Sequence, residues 1–226
     1  MLLCPVCNAA LEIRGRVMAC GNGHSFDIAK EGYVNLLRSN KNGDKIGDDK
    51  YSARSRRDFL NKGYYAPLRD ALCEIFANKQ GSVLDICCGE GYYTSALGEN
   101  PSLQVYGFDI AREMVRLAAK RGNGTYFVAN MASIPVPDNS FDHATHLFAP
   151  FNEPEFARIL KPGGMVICVH ADFDSVVYNG ENQDLITKCI HSYAVTKQGW
   201  MDDLDGWMGR RVYGVFNNSG FFESSI

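Results

Sequence analysis

Two groups of residues have types and spacings that can do chemistry. The first is Cys4-Pro-Val-Cys7, followed after twelve residues by Cys20-Gly-Asn-Gly-His24. Four soft ligands in two close pairs suit a tetrahedral zinc ion. A Cys3His set leaves no coordination position for a substrate, so the expected zinc is structural. A module of thirty-odd residues buries little core, and the metal would supply much of its folding free energy. The second group is Asp85-Ile-Cys-Cys-Gly89-Glu90-Gly91, which overlaps the end of the apolar run Val83–Cys87, with Asp109 20 residues beyond Gly89. Glycines there let the backbone approach a ligand and turn tightly. A carboxylate at the end of the next strand can accept hydrogen bonds from both ribose hydroxyls. The spacing Asp-x-x-x-Gly-x-Gly differs from the dinucleotide pattern Gly-x-Gly-x-x-Gly. It suits a nucleoside cofactor without a pyrophosphate, because no helix N-terminus need be bared for phosphate. S-adenosylmethionine is such a cofactor.

These residues need a scaffold, and the chain supplies its pattern. Val83–Cys87, Leu103–Phe108, Thr125–Ala129, Phe141–Leu147 and Met165–His170 read as strands. Tyr92–Leu97, Ala111–Lys120 and Glu153–Leu160 read as helices between them, with Met114, Leu117 and Ala118 on one face. Strand–helix alternation at this spacing predicts an α/β fold, a doubly wound Rossmann-like sheet with a small N-terminal zinc-binding module. Ligands of such sheets lie beyond the carboxyl ends of the strands. Two further positions fit that place. Asn130-Met131 follows the third strand, where a side chain can meet an adenine. Phe148-Ala-Pro150-Phe151 follows the fourth, where substrate and methyl group should meet. Its carbonyls and Phe151 can hold and stack a planar base, although core packing is the competing reading of Phe148 and Phe151. Lys161-Pro-Gly-Gly164 is expected as a sharp structural turn. A helix is expected near Ser52–Asn61, another at Asp184–Tyr193, and a final strand at Phe221–Ile226.

The expected organisation is a zinc-binding module over 1–36, a basic linker and helix over 37–62, and a methyltransferase domain over 63–226 whose part from 171 is atypical. A composition of 46% hydrophobic and 22% charged residues is that of an ordinary globular chain. No apolar run approaches the roughly 18 residues of a membrane span. The N-terminus lacks the basic and apolar regions of a signal peptide, so a cytoplasmic protein without membrane partners is expected. In that setting the cysteines are thiols or metal ligands rather than disulfides. Cys73, Cys87, Cys88, Cys168 and Cys189 sit among apolar residues and read as small core fillers. The net charge of −3 hides an asymmetry. Residues 1–69 carry 12 Lys and Arg against 7 Asp and Glu, a net of +5, and the remainder carries 11 against 19, a net of −8. The basic stretch includes Arg38, Lys41, Lys45, Lys50, Arg54, Arg56, Arg57 and Lys62. It is either a contact for phosphate backbones or a solvated linker.

Several stretches together resemble the bacterial 23S ribosomal RNA (guanine-N1) methyltransferases with an N-terminal zinc finger. These are the two metal-ligand pairs, His24-Ser-Phe-Asp-Ile-Ala-Lys-Glu-Gly-Tyr-Val-Asn-Leu-Leu37, Arg57-Asp-Phe-Leu60 and Gly63-Tyr-Tyr-Ala-Pro-Leu-Arg69. Cys88-Gly-Glu-Gly-Tyr-Tyr-Thr94, Ala118-Ala-Lys-Arg121 and Phe148-Ala-Pro150 extend the likeness. It ends near Val169 and so covers roughly three quarters of the chain. The resemblance implies zinc on Cys4, Cys7, Cys20 and His24, and Tyr65, Gly89, Glu90 and Asp109 around the cofactor. It also implies ribosomal RNA as partner, and homodimers whose zinc modules help form an RNA-binding cleft. The family usually has glycine where Cys87 stands, so a different turn is expected here. It tends to have a cofactor-touching His after the fifth strand, where this chain reads His170-Ala-Asp-Phe-Asp-Ser. Its longer C-terminal region is expected to be truncated or rebuilt in this chain.

Two other functions compete. A small-molecule methyltransferase of the quinone or sterol kind would share the sheet and cofactor turn but needs neither zinc module nor basic segment. A zinc-bearing RNA-binding protein with a decayed methylation site would explain Cys87. Methylation at guanine N1 requires loss of a proton. His146, Glu153, His170 and Asp172 are candidate bases near the strand ends, and no motif selects among them.

Overall fold

The computed structural model describes residues 2–38 and 47–169. His170, Asp172, Cys189, Lys41, Lys45 and the elements expected at 184–193 and 221–226 lie outside the described residues.

The N-terminal part is a three-stranded antiparallel sheet, β1 (Leu11–Arg14), β2 (Val17–Cys20) and β3 (Ser25–Asp27), in that order. Arg14 pairs with Val17, so Gly15-Arg16 is a two-residue hairpin loop, and Gly15 supplies its positive φ of 66°. The connection from β2 to β3 carries the second pair of expected zinc ligands, with Cys20 donating its N–H to the His24 carbonyl at 3.0 Å.

A short strand, β4 (Val34–Asn35), leaves this module and becomes the edge of the main sheet. Helices α1 (Lys50–Leu60) and α2 (Ala66–Phe76) follow. Asp49 caps α1 by accepting from the Ser52 N–H at 2.8 Å. Then β5 (Gly81–Ile86), α3 (Tyr92–Leu97), β6 (Leu103–Asp109), α4 (Arg112–Arg121), β7 (Thr125–Val128), β8 (Phe141–Leu147), α5 (Glu153–Ile159) and β9 (Leu160–Val169) alternate as the periodicity predicts. The six strands lie in the order β4-β7-β6-β5-β8-β9, and every neighbouring pair is parallel. The order reverses between β5 and β8, which places a ligand crevice beyond their carboxyl ends.

Side chains alternate between the two faces of each strand. Leu84, Ile86, Tyr106, Phe108 and Phe127 face α5, through Phe156 and Ile159, and also Leu2, Leu11 and Cys20 of the N-terminal module. Val83, Val105, Tyr126 and Val128 face the opposite way, toward Phe76 of α2, Leu97 of α3 and Val115 of α4. The module thus covers part of a sheet face that helices would otherwise cover. The Leu3 N–H donates to the Pro135 carbonyl at 2.8 Å, and the Leu36 N–H to Val128 at 2.9 Å.

Element ends differ from the sequence expectation by one or two residues. Two differences are larger. Helix α2 is absent from the sequence reading, although Pro67 in its first turn and the periodic Leu68, Leu72 and Phe76 signal it. Lys161-Pro-Gly-Gly164 is part of β9 rather than a separate turn. Leu160 pairs with Phe141 and Met165 with His143, so the four residues bulge out of the ladder, with Gly163 at a φ of 76°.

Candidate functional site

The Cys4, Cys7 and Cys20 sulfurs and a His24 ring nitrogen lie within 4.8 Å of one another. Cys7 and Cys20 Sγ are 3.7 Å apart, and His24 Nδ1 lies 3.6 Å from Cys4 Sγ and 3.5 Å from Cys20 Sγ. A zinc tetrahedron with ordinary bond lengths has S–S edges of about 3.8 Å and S–N edges of about 3.6 Å. The cluster therefore matches the ion's own geometry. Backbone bonding at Ala9 and the Asn22 amide, 3.3 Å away, bring the Cys7 thiol down to about 6. Burial pushes the Cys20 thiol up, but the His24 and Asn22 backbone outweighs it and the thiol ends below its ordinary value. Thiolates are what zinc needs, and these four residues would hold it as a structural ion.

The second site is a cleft of about 620 Å³ at the carboxyl ends of β5, β6 and β8. Its floor is Asp85 and the turn Cys87–Glu90, and one wall is Asp109, Ile110 and Met114. The facing wall is Leu147–Pro150, and Phe59 and Tyr65 stand at its mouth. Asp109 accepts from the Gly89 N–H at 3.0 Å with one oxygen and from the Ala111 N–H at 2.8 Å with the other. Each oxygen keeps lone-pair capacity for a further donor. Burial raises the Asp109 carboxyl, against the pull of those two N–H groups. Asp85 is fully enclosed and pushed up to about 6 by burial, while Thr94 Oγ1 at 2.5 Å and Thr145 Oγ1 at 2.8 Å donate to it and oppose the rise.

Glu90 is buried, and Arg121 clamps both its oxygens at 2.7 and 2.9 Å. Arg121 also donates to Asn61 at 2.7 Å and lies 5.4 Å from the Tyr92 ring centre. The pair ties the turn to the end of α4 and to the cap of α1. Gly91 starts α3 at a φ of 80°, and a Cβ there would lie 2.8 Å from that of Ala118. Only glycine lets the turn and α4 approach so closely.

Cys87 is the residue at which the turn leaves β5. It adopts the left-handed conformation at a φ of 58°, where glycine would be unstrained. Phe148, at the end of β8 across the switch point, does the same at 57°. Two strained non-glycine residues thus line the cleft, at the ends of the neighbouring strands β5 and β8. Burial first and the nearby carboxylates second hold the Cys87 and Cys88 thiols far above their ordinary values.

Some expected residues stand back from the cleft. Met131 contacts Cys87, sulfur to sulfur at 3.9 Å. Asn130 accepts from the Ala132 N–H at 2.9 Å and lines a separate cleft beside the zinc ribbon. Phe151 packs on His146 at 5.1 Å. Of the candidate bases, His146 is fully buried, with Nε2 2.9 Å from the Pro150 carbonyl oxygen, and Glu153 begins α5; neither lines the cleft. One cleft residue is missing from the sequence reading. The Tyr93 hydroxyl is buried without a hydrogen-bond partner among the described residues. An unpaired buried hydroxyl in a cleft calls for a polar ligand atom. That orphan, with the spare acceptors of Asp109, fits the hydroxyl- and charge-bearing S-adenosylmethionine. Its only sequence signal is its place two residues after Gly91.

Comparison with known proteins agrees with this geometry. The N-terminal zinc ribbon described as "RlmA, N-terminal" matches residues 2–43, and "Methyltransferase domain" matches residues 83–164. A 23S rRNA (guanine(748)-N(1))-methyltransferase of Streptomyces fradiae is 35% identical, over 74% of this chain and 62% of its own. A Bacillus subtilis protein provisionally named a 23S rRNA (guanine-N(1)-)-methyltransferase is 33% identical, over 75% of this chain and 64% of its own. A demethylmenaquinone methyltransferase of Anoxybacillus flavithermus is 33% identical, over 51% of this chain and 55% of its own. The chain thus spans a little under two thirds of the rRNA relatives' length. It joins a segment that matches an RlmA-type zinc ribbon to a segment that matches an S-adenosylmethionine-dependent methyltransferase domain.

Proposed function

We propose that the chain methylates N1 of a guanine in 23S ribosomal RNA, with S-adenosylmethionine as donor. The observation that carries this reading is the packing of a closed zinc ribbon into the same core as the open cleft. A small substrate needs no second module beside the methyltransferase sheet. The quinone-type relative covers only half of this chain, whereas the rRNA-type relatives cover about three quarters. The organisation in this reading is a zinc module over 1–36, a basic segment over 37–62 and a catalytic domain over 63–226. The enzyme works in the cytoplasm on ribosomal RNA, as a homodimer. No described helix is long and apolar enough to cross a membrane.

The cofactor brings a methyl group on a sulfonium. Asp109 would accept its ribose hydroxyls, the Gly89–Gly91 turn would line it, and Tyr93 and Tyr65 would offer it their hydroxyls. Asp85 holds the turn through Thr94, and Glu90 does so through Arg121. Asn130 and Met131 act from behind the wall, Met131 by supporting Cys87. On the substrate side Phe148 stacks the guanine, and Phe151 braces the Phe148–Pro150 turn. Backbone carbonyls of that turn accept from the guanine's exocyclic amine, which leaves N1 open to the methyl group, and the N1 proton passes to water. A target within a duplex must first be extruded.

The test is a competition. The full chain with labelled S-adenosylmethionine is offered unmethylated 23S rRNA and a demethylmenaquinol. Label in the RNA, lost in Asp109→Ala, is the expected result, and label only in the quinol would overturn it.

A further inference from the structure

Four exposed aromatic rings lie end to end from the cleft outward. Phe148 meets Tyr65 at 5.9 Å, Tyr65 meets Phe59 at 6.0 Å, and Phe59 meets Tyr64 at 5.5 Å. Their exposures are 42%, 36%, 46% and 69%. Three of them line the cleft, but Tyr64 lies outside it. Contiguous exposed apolar surface of this kind marks a contact site.

The surroundings decide the partner. Helix α1, which carries Phe59, is basic at Lys50, Arg54, Arg56 and Arg57 and acidic only at Asp58. Arg56 is paired to Asp48 and Arg57 lies near Asp58. Lys50, Arg54 and Lys62 are exposed and form no ion pair among the described residues. Lys62 lies two residues from Tyr64, and open rings next to such an unneutralised cation match single-stranded nucleic acid, whose bases stack and whose phosphates need charge. A small substrate filling the cleft would leave Tyr64 in water.

We propose that Phe59 and Tyr64, continuing outward from Tyr65 at the cleft mouth, form a stacking path for the unpaired bases flanking the methylated guanine, with Lys62 on the phosphates. This rests on the RNA reading above. It adds that the enzyme recognises single-stranded nucleotides next to its target.

The test is Tyr64→Ala in the full chain, read by anisotropy with a fluorescein-labelled, guanine-containing single-stranded RNA of roughly ten nucleotides. Loss of one stacked base should weaken binding about 5- to 50-fold. Tyr64→Phe, which keeps the ring, should bind within about twofold of the parent. Lys62→Gln should lower the slope of log affinity against log salt by about one. S-adenosylmethionine affinity by calorimetry should not change in any of the three. Parent and Tyr64→Ala binding RNA equally would overturn the stacking path and leave the RNA reading standing. A parent that binds no RNA and methylates the quinol would overturn both. Equal loss of cofactor and RNA binding in Tyr64→Ala would show a merely structural residue and overturn the path.

Discussion

The zinc centre and the cofactor cleft arrange polar groups in opposite senses. In the zinc ribbon four ligand atoms converge within 4.8 Å and leave no position open. In the cleft the polar groups are held apart. Asp85 is filled by two threonines, Glu90 by one arginine, Asp109 keeps spare acceptors, and Tyr93 has no partner among the described residues. The backbone differs in residue type, since the left-handed non-glycine position beside the zinc ligands is Asn8, which tolerates it, whereas those lining the cleft are Cys87 and Phe148. A site that is complete on its own stabilises, whereas one left incomplete and strained is prepared for something to enter.

The contrast can be broken most forcefully at the zinc. Structural zinc contributes on the order of 10 kcal/mol to small modules. Chelation, or Cys20→Ala, should unfold the ribbon. Leu2, Leu11 and Cys20 share a core with Phe108 and Phe127, so the methyltransferase domain should also melt several degrees lower. Zinc stoichiometry with thermal melts checks this. An unchanged melt in metal-free protein would mean that the ribbon is an independent appendage.

Next is the pair behind the cofactor turn. Arg121→Ala leaves the fully buried Glu90 carboxylate without its counter-charge and should cost about 3 kcal/mol in urea unfolding. A loss near zero would show that the turn does not depend on this clamp.

A pH experiment probes Asp85. Its carboxyl rises from 3.8 unfolded to about 6 folded, so the folded state binds the proton more tightly. The associated stability is complete below pH 3.8 and is lost as pH rises through about 6. The loss amounts to about 3 kcal/mol over that window at 1.36 kcal/mol per unit. Asp85→Asn removes this titration. Its stability relative to the parent should therefore rise between pH 4 and pH 7, and a constant difference would place Asp85 in a more polar setting.

The smallest effect sharpens the point about strain. Cys87→Gly removes the left-handed penalty and should be neutral or stabilising by up to about 1 kcal/mol. Cys87→Val, β-branched at a φ of 58°, should be at least about 2 kcal/mol worse than glycine in thermal melts.

The sequence reveals the zinc ligands because their spacing is local, and the Asp85–Gly91 turn because it follows an apolar strand. The doubly wound order follows from the strand–helix alternation. Other features arise only when distant segments meet. Val34-Asn35 is too short to read as a strand, yet it edges the main sheet. The ribbon's place on the sheet face depends on side chains scattered from Leu2 to Phe156. The left-handed conformation of Cys87 has no signature in the sequence around it, where a Cys among apolar residues reads as a core filler. The orphan hydroxyl of Tyr93 and the aromatic path are spatial facts with no periodic signature.

The most direct measurement of the central claim is nucleoside mass spectrometry of unmethylated 23S rRNA after incubation with the zinc-loaded chain and S-adenosylmethionine. The account predicts N1-methylguanosine with the parent and its loss with Asp109→Ala. Absence of N1-methylguanosine from RNA treated with a parent protein that binds the cofactor would contradict it.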